Sequence, residues 1–144
     1  MNTRVKHFRK RDAILTCLRE TDCHPSAEWI FNRLKPQIED LSLGTVYRNL
    51  SLFKEQGLAI SVGTVSGTER FDGETAPHVH YICTCCGAVR DLPGISVPEQ
   101  LTNSAAQEAC AEVSGCQLTF TGKCKNCMEQ TQIQNIINNW RKES

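Results

Sequence analysis

Four cysteines stand in two pairs whose spacing suits a single metal ion. Two residues separate Cys83 from Cys86, and Cys124 and Cys127 repeat that spacing further along the chain. One tight turn can then aim both sulfurs of a pair at one ion, and four thiolates suit tetrahedral Zn²⁺ in a closed, structural site. A redox dithiol is the alternative for either pair, but two separate pairs favour zinc. Cys85 falls outside this spacing, so we interpret it as a spare thiol.

A second group of residues offers nitrogen and oxygen ligands. His78 and His80 would leave a β-strand on the same face, because side chains alternate with a period of two. Asp72 lies six residues before this pair and Asp91 eleven residues after it. A site without sulfur suits Fe²⁺ or Mn²⁺ as well as Zn²⁺. The alternative is a pair of solvent-exposed strand histidines, and the neighbouring cysteine pair favours the metal site.

Composition indicates a soluble chain of one domain or two small ones. The 144 residues are 40% hydrophobic and 22% charged, which is ordinary for a globular protein. Apolar runs stay well short of the roughly 20 residues of a membrane span, and the N-terminus lacks the apolar stretch of a signal peptide. Nine cysteines without an export signal predict a reducing compartment, the cytoplasm.

The net charge of zero hides a basic N-terminal part. Residues 1–57 contain ten Lys and Arg against seven Asp and Glu, whereas residues 58–144 contain six against nine. Five of the basic residues lie within the first eleven positions. Such a basic arm suits contact with phosphate groups. A solvated surface arm is the alternative that charge alone leaves open.

The elements that must position these residues begin with three helices. Apolar residues at spacings of three and four predict an amphipathic helix over residues 3–20. Ser26 is a suitable N-cap for a second helix, which Pro36 should end. Ser42 is a suitable cap for a third, over residues 43–56, with Gly57 as its stop signal.

Two short β-prone runs follow the helices. Residues 58–62 and 69–71, joined through Gly63 and Gly67, predict a hairpin. Three helices and a hairpin are the plan of a winged helix-turn-helix, whose third helix enters the major groove of DNA. The alternative is a helical core with a solvated polar face. Near the start of that helix stand the polar residues that could read bases: Thr45, Tyr47, Arg48 and Asn49.

The second half predicts a small α/β domain. A polar segment over residues 72–77, containing Gly73 and Pro77, is the best linker. Beyond it we expect two strands around the cysteine-rich turn, then a helix, a third strand and a closing helix. Their expected ranges are 78–84, 88–92, 97–108, 113–121 and from Cys127 through Trp140.

The order of these motifs resembles that of the ferric uptake regulator superfamily of bacterial metal-responsive repressors. The resemblance covers nearly the whole chain, and within the superfamily it is greatest for the peroxide-regulating branch. It rests on the segments SAEWIFNRL, LSLGTVYRNLSLFKEQGL, RFDG, HVHYICTCCGAVRDL and CKNC.

The resemblance implies an α+β fold with two functional parts. A winged helix-turn-helix DNA-binding domain would span residues 1–72, a hinge residues 73–77, and a small α/β dimerisation domain with the Cys₄ zinc site residues 78–144. It implies a homodimer that binds double-stranded operator DNA and no membrane. The segment Phe8–Arg11 stands where many relatives have Thr-Pro-Gln-Arg, so we expect different DNA contacts there, made by Lys10 and Arg11.

The resemblance also implies the ligands of a regulatory Fe²⁺ or Mn²⁺ ion. They map onto His24, Asp72, His78, His80 and Asp91, and His24 is selected by the resemblance alone. Peroxide that reacts with bound Fe²⁺ would oxidise His24 or His78, destroy the site and release DNA. That chemistry is not turnover, so we predict no catalytic residues and no enzyme. Asp72 favours peroxide sensing, because the iron-sensing branch usually has Glu there.

Some features leave other functions open. The segment Gly115–Thr119 lacks the His and Glu of an additional metal site found in many relatives. Three cysteines outside the recognised pattern, Cys85, Cys110 and Cys116, leave thiol-based sensing open. One alternative is an iron or manganese uptake regulator of the same fold. Another, of a different class, is a zinc-binding redox protein that does not bind DNA.

Overall fold

The order of elements follows the predicted plan of three helices, a hairpin and an α/β unit. The structure is a computed structural model that describes residues 3–142, with side chains from Arg9 onward. Two of the five basic side chains of the arm, Arg4 and Lys6, therefore lie outside the described side chains. The chain divides into two units between Pro77 and His78. The predicted α+β class is confirmed.

The first unit begins with three helices, and the second and third of them start at side-chain caps. The Ser26 hydroxyl accepts a hydrogen bond from the Trp29 amide at 3.1 Å, and the Ser42 hydroxyl accepts one from the Thr45 amide at 3.1 Å. Both bonds satisfy amides that a helix leaves without a partner in its first turn. The helices are α1 (Thr3–Glu20), α2 (Ala27–Leu34) and α3 (Leu43–Glu55).

The core of the first unit lies among these helices and the hairpin behind them. Each helix turns its apolar residues towards the others, and Phe71 of the hairpin completes the cluster. Side chains with 2% or less of their surface exposed include Ile14, Leu18, Ile30, Leu41, Val46, Leu50, Phe53 and Phe71. The helix that was predicted to read DNA is therefore held on a rigid base.

The hairpin differs from the prediction in its position. Strand β1 is Ile60–Val65 and strand β2 is Thr68–Asp72, paired antiparallel. The expected start at Leu58 is wrong, because the Leu58 amide donates to the Phe53 carbonyl at 2.8 Å and so still belongs to the end of α3. Gly63 lies at a bulge within β1, so only Gly67 belongs to the turn.

The turn of the hairpin combines Ser66 and Gly67. Their φ values are 52° and 80°. Two consecutive residues with positive φ are the requirement of a tight type I′ hairpin turn. A glycine at the second position meets it without steric cost.

The second unit is a three-stranded sheet with two helices. Strand β3 (Val79–Cys83) lies between β4 (Val89–Asp91), which is antiparallel to it, and β5 (Leu118–Gly122), which is parallel to it. The helices are α4 (Glu99–Ala109) and α5 (Lys125–Lys142). The expected start of the third strand near residue 113 is wrong. The pairing begins with Leu118 opposite Val79, and β3 offers no partner to earlier residues.

None of the helices within residues 3–142 combines the length and the apolar character that a membrane crossing requires.

We predict that Phe53→Ala lowers the free energy of unfolding of the first unit by about 3–5 kcal/mol, because it leaves a cavity in a packed core. The measurement is denaturant unfolding followed by circular dichroism. Leu52→Ala is the matched control, because the Leu52 side chain is 38% exposed on the same helix. Equal losses in the two variants would contradict this account of the core.

Candidate metal centres and nucleic-acid interface

The four paired cysteines converge at one end of the second unit. Cys83 ends β3, Cys86 follows in the turn after it, and Cys124 and Cys127 lie at the start of α5. The sulfur of Cys83 is 3.8 Å from that of Cys127, and the sulfur of Cys86 is 3.9 Å from that of Cys124. Four sulfurs bound tetrahedrally to Zn²⁺ at about 2.3 Å lie about 3.8 Å from one another. The arrangement therefore fits zinc.

Backbone amides prepare this site for thiolates. The amides of Cys86 and Cys124 point at the Cys83 sulfur at 3.5 and 3.3 Å. These hydrogen bonds lower the pKa of the Cys83 thiol below its usual range. The pKa of Cys127 is raised by its contacts with the other thiols, first Cys124 and then Cys85. A bound cation would reverse that effect, because a coordinating thiol loses its proton.

The β3–β4 hairpin brings three nitrogen and oxygen ligands together. His80 of β3 is the register partner of Asp91 in β4, and His78 immediately precedes β3. One carboxylate oxygen of Asp91 lies 3.3 Å from Nε2 of His78 and 3.4 Å from Nε2 of His80. The two imidazole rings are 4.3 Å apart between centroids. Ligand atoms at these separations suit a shared ion, since neighbouring ligands about 2.1 Å from a metal lie about 3.0–3.4 Å apart.

The first unit contributes a separate His–Asp pair. Nε2 of His24 lies 3.2 Å from a carboxylate oxygen of Asp72, and the His24 side chain is only 3% exposed. His24 has a φ of 50°, which is uncommon for a residue other than glycine. Strained backbone of this kind persists only where its surroundings hold it.

Strand β2 supplies that support. Arg70 donates hydrogen bonds to the backbone carbonyls of Cys23, at 2.7 Å, and of His24. The Phe71 amide donates to the Pro25 carbonyl at 3.0 Å. The strand that carries Asp72 thus fixes the turn that carries His24. Sequence reasoning missed Arg70, because its contact with a turn 46 residues away follows no local pattern.

The four predicted DNA contacts on α3 separate into two exposed and two buried residues. Tyr47 and Arg48 are exposed, whereas Thr45 and Asn49 are buried. The Asn49 amide donates to the Thr45 carbonyl at 2.8 Å, and the Thr45 hydroxyl accepts a bond from Arg48 at 3.1 Å. Thr45 and Asn49 therefore stabilise the first turns of the helix in this structure.

An acidic residue that the sequence did not single out adjoins this helix. The Tyr47 hydroxyl donates to a carboxylate oxygen of Glu28 in α2 at 2.6 Å. This bond lowers the pKa of Glu28 and raises the pKa of Tyr47. It holds the exposed phenol in one orientation.

The two predicted contacts in α1 are engaged within the first unit. Lys10 forms an ion pair with Asp40 at 2.9 Å, and its ammonium group also donates to the Asp40 carbonyl. Arg11 donates to the Gln56 side chain at 2.7 Å, and its guanidinium group lies 5.0 Å from the centre of the Phe53 ring. Both side chains link α1 to neighbouring parts of the unit.

The sequence that forms these helices, strands and ligand sets matches a known protein family. The sequence model of the Ferric uptake regulator family matches residues 2–121. The chain belongs to the ferric uptake regulator family. The predicted resemblance is thereby confirmed.

Several ferric uptake regulator family proteins are similar over most of their length. The "Peroxide operon regulator" of Bacillus subtilis is 35% identical over 130 residues, which are 89% of this chain and 88% of that protein. The "Peroxide-responsive repressor PerR" of Staphylococcus epidermidis is 32% identical over 123 residues, or 84% and 80% of the two chains. The crystal structure of the Campylobacter jejuni peroxide stress regulator matches with a TM-score of 0.74 at 25% identity, covering 85% of this chain and 92% of that one.

We predict that Cys127→Ser abolishes stoichiometric zinc and lowers the melting temperature of the second unit, because three thiolates and a hydroxyl bind Zn²⁺ far more weakly than four thiolates do. Metal analysis of the purified protein and a thermal melt measure the two effects. Cys85→Ser is the matched control, since its exposed thiol lies outside the two pairs. Loss of zinc from the control, or full zinc in Cys127→Ser, would refute this choice of ligands.

Proposed function

We propose that this chain is a metal-dependent transcriptional repressor that senses hydrogen peroxide and then releases operator DNA. The observation that carries the proposal is the presence of two chemically different ligand sets. One is built from sulfur alone, and the other offers only imidazole and carboxylate groups. The named relatives are peroxide regulators, which supports the same function here.

Zinc has a structural role in this proposal. Four thiolates satisfy Zn²⁺ completely and leave no position for a substrate or a water molecule. Zn²⁺ also has no redox chemistry of its own. The Cys₄ site therefore holds the start of α5 against the end of β3, and sensing takes place elsewhere.

The regulatory metal is Fe²⁺ or Mn²⁺, with His24, Asp72, His78, His80 and Asp91 as its ligands. Two imidazoles and a carboxylate already converge in the second unit, and a further imidazole and carboxylate converge in the first. Nitrogen and oxygen donors without sulfur suit these ions. Two carboxylates also balance the charge of a divalent cation.

The segment over residues 73–77 acts as the hinge in this proposal, between a DNA-binding domain over residues 1–72 and a dimerisation domain over residues 78–144. Asp72 lies immediately before the hinge, and His78 lies immediately after it. One ion held by both ends would favour a single hinge geometry, and with it the arrangement that fits DNA.

Peroxide sensing in this proposal is an oxidation of the protein itself. An Fe²⁺ ion held by these residues would activate peroxide by one-electron transfer and recover that electron from the imidazole, so that overall one peroxide oxygen is added to a ring carbon of His24 or His78 and the other leaves as water. An oxidised imidazole is a poorer ligand, so the regulatory site is lost and the operator is released. The Mn²⁺ form binds DNA without sensing, and no substrate is turned over, so the chain is not an enzyme.

The DNA-binding form is a homodimer with two winged helices, and it acts in the cytoplasm where the operator lies. Tyr47 and Arg48 are the exposed residues of α3 that face the duplex. Thr45 and Asn49 hold the N-terminal turns of that helix in shape. Lys10 and Arg11 are further DNA contacts in this proposal.

We predict that stoichiometric peroxide adds one oxygen atom to the Fe²⁺ form at His24 or His78. Trypsin should release residues 20–33, which contain His24, and residues 71–90, which contain His78. Mass spectrometry after alkylation of the thiols locates the added oxygen on a ring. The Mn²⁺ form should stay unmodified, because Mn²⁺ does not supply the electrons.

The peptide of residues 91–123 is the internal control, because it contains Cys110 and Cys116 but no histidine. Oxygen on that peptide alone would indicate thiol oxidation and contradict the histidine mechanism. An unmodified Fe²⁺ form that still binds DNA would favour an iron or manganese uptake regulator. Absence of a gel shift on operator DNA with Mn²⁺ present would favour a zinc protein that does not bind DNA.

We predict that Arg48→Ala weakens operator binding about 5- to 150-fold, since a side-chain contact to a base or a phosphate contributes about 1–3 kcal/mol. Metal affinity should not change. Fluorescence anisotropy with labelled operator DNA and Mn²⁺ measures the effect. Arg33→Ala is the control for net charge, because it removes one exposed basic residue from α2 instead. Equal effects of the two substitutions would exclude a specific role for Arg48.

A further inference from the structure

Gly73, the first residue of the proposed hinge, lies against the last turn of α1. A Cβ atom at this position would be 3.0 Å from Cγ of Arg19, 3.2 Å from its Cα and 3.3 Å from its backbone nitrogen. Carbon atoms in ordinary van der Waals contact lie about 3.5–4.0 Å apart. A side chain of any size at position 73 must therefore displace either the hinge or the helix.

The backbone conformation of Gly73 does not by itself require a glycine. Four other glycines of the described chain have φ values of 69–123°, and Gly73 is not among them. The close approach of one backbone to another is a second reason for which proteins use glycine. Two of the three near atoms belong to the backbone of Arg19, so a change of its side-chain rotamer cannot remove them.

The carboxylate of Asp72 depends on the path of the chain through Gly73. Its Oδ1 atom accepts a hydrogen bond from the Glu74 amide at 2.8 Å. Its Oδ2 atom lies 3.2 Å from Nε2 of His24. The carboxylate is thus attached to the chain before Gly73 and held by an amide that follows Gly73. A small shift of Gly73 changes the distance between these two points, and with it the direction of Oδ2.

Contacts within the first unit hold the chain on both sides of Asp72. Before it, Arg70 and Phe71 bond to the backbone of the turn that carries His24. After it, Gly73 lies against Arg19. The first contact sets the position of strand β2, and the second sets the direction in which the chain leaves that strand.

We propose that Gly73 is a positioning residue for the regulatory metal. Its lack of a side chain lets the chain pass close to α1, and that path points the Asp72 carboxylate towards the ion that it shares with His24. The inference rests on the proposed function, because it gives Gly73 a role towards the ligand set named there. Gly73 does not touch the metal. It acts through Asp72, as groups around a metal site orient the ligands themselves.

The first test compares two glycines that each follow an aspartate of the ligand set. Gly73→Ala should weaken Mn²⁺ binding about 10- to 100-fold, the usual effect of losing a group that orients a metal ligand. Gly94→Ala is the matched control, because a Cβ atom there would meet no non-neighbouring atom of the described residues within 4 Å. The control should change the affinity less than about twofold. Electron paramagnetic resonance of free Mn²⁺, during titration of the full-length zinc form, measures both affinities.

A double-mutant cycle separates positioning from a general loss of structure. Asp72→Ala removes the ligand that Gly73 orients in this proposal. In that background, Gly73→Ala should cause no further loss of Mn²⁺ affinity. A further loss as large as in the wild-type background would show that the substitution does not act through Asp72, and it would overturn the proposal.

The zinc form without Mn²⁺ gives a second readout. Hydrogen exchange of the Glu74 amide, followed by nuclear magnetic resonance, should be about fivefold faster in Gly73→Ala, the factor that corresponds to a typical net hydrogen-bond contribution. The Phe71 amide, which donates to the Pro25 carbonyl, should keep its wild-type rate and so report that β2 is folded. An unchanged rate at Glu74, or faster exchange at both amides, overturns the proposal.

The outcomes separate this inference from the proposed function. A wild-type zinc form that binds no Mn²⁺ overturns the proposed function itself. Wild-type binding that Gly73→Ala leaves unchanged overturns only the role of Gly73. Weaker binding in Gly73→Ala, with no further loss when Asp72 is already replaced, supports that role.

Discussion

Four sulfur atoms take the place of a hydrophobic core in the second unit. Within its described residues, only Val79, His80, Cys83, Val89 and Cys127 are buried, and two of these are zinc ligands. The first unit, in contrast, packs eleven buried apolar side chains into one cluster. A unit with so little apolar burial needs another source of stability, and the free energy of zinc binding supplies it. The stability of the sheet and of both helices in this unit depends on zinc binding.

The cysteine set and the histidine–aspartate set suit different metal ions and different roles. Thiolates bind a redox-inert ion in a closed shell, so that site keeps its geometry. Imidazole and carboxylate groups bind Fe²⁺ or Mn²⁺ with room for exchange. His80 and Cys83 belong to the same strand, three residues apart. In the proposed function, a permanent site and a responsive one would thus share a single strand, and the zinc site would hold that strand in place for the regulatory site.

Sequence reasoning predicted the features that local chemistry decides. The caps at Ser26 and Ser42 and the glycine in the hairpin turn act over a few residues, and the structure places each of them as expected. The features that it missed depend on distant partners. β5 begins where β3 can pair with it, and Arg70 reaches a turn far away in the chain.

The burial of Thr45 and Asn49 shows another reason why the sequence alone did not predict the role of some residues. Polar residues near the start of a helix suit base contacts and helix capping equally well. Only their partners, Ser42 and Arg48 for the Thr45 hydroxyl and the Thr45 carbonyl for Asn49, show that both side chains bond within the helix in this structure. Composition and spacing do not distinguish a residue that contacts bases from one that caps a helix.

The parallel pairing of β3 with β5 has a consequence for how the chain folds. Val79 pairs with Leu118, so a long crossover that includes α4 must close before β5 can join the β3–β4 hairpin. The first unit relies on helices that are neighbours in sequence, and local contacts of this kind form faster than distant strand pairs. We therefore expect a new chain to complete its helical unit first, and zinc binding by both cysteine pairs to stabilise the complete sheet later. On this expectation, the supply of zinc would set how quickly newly made chains become functional.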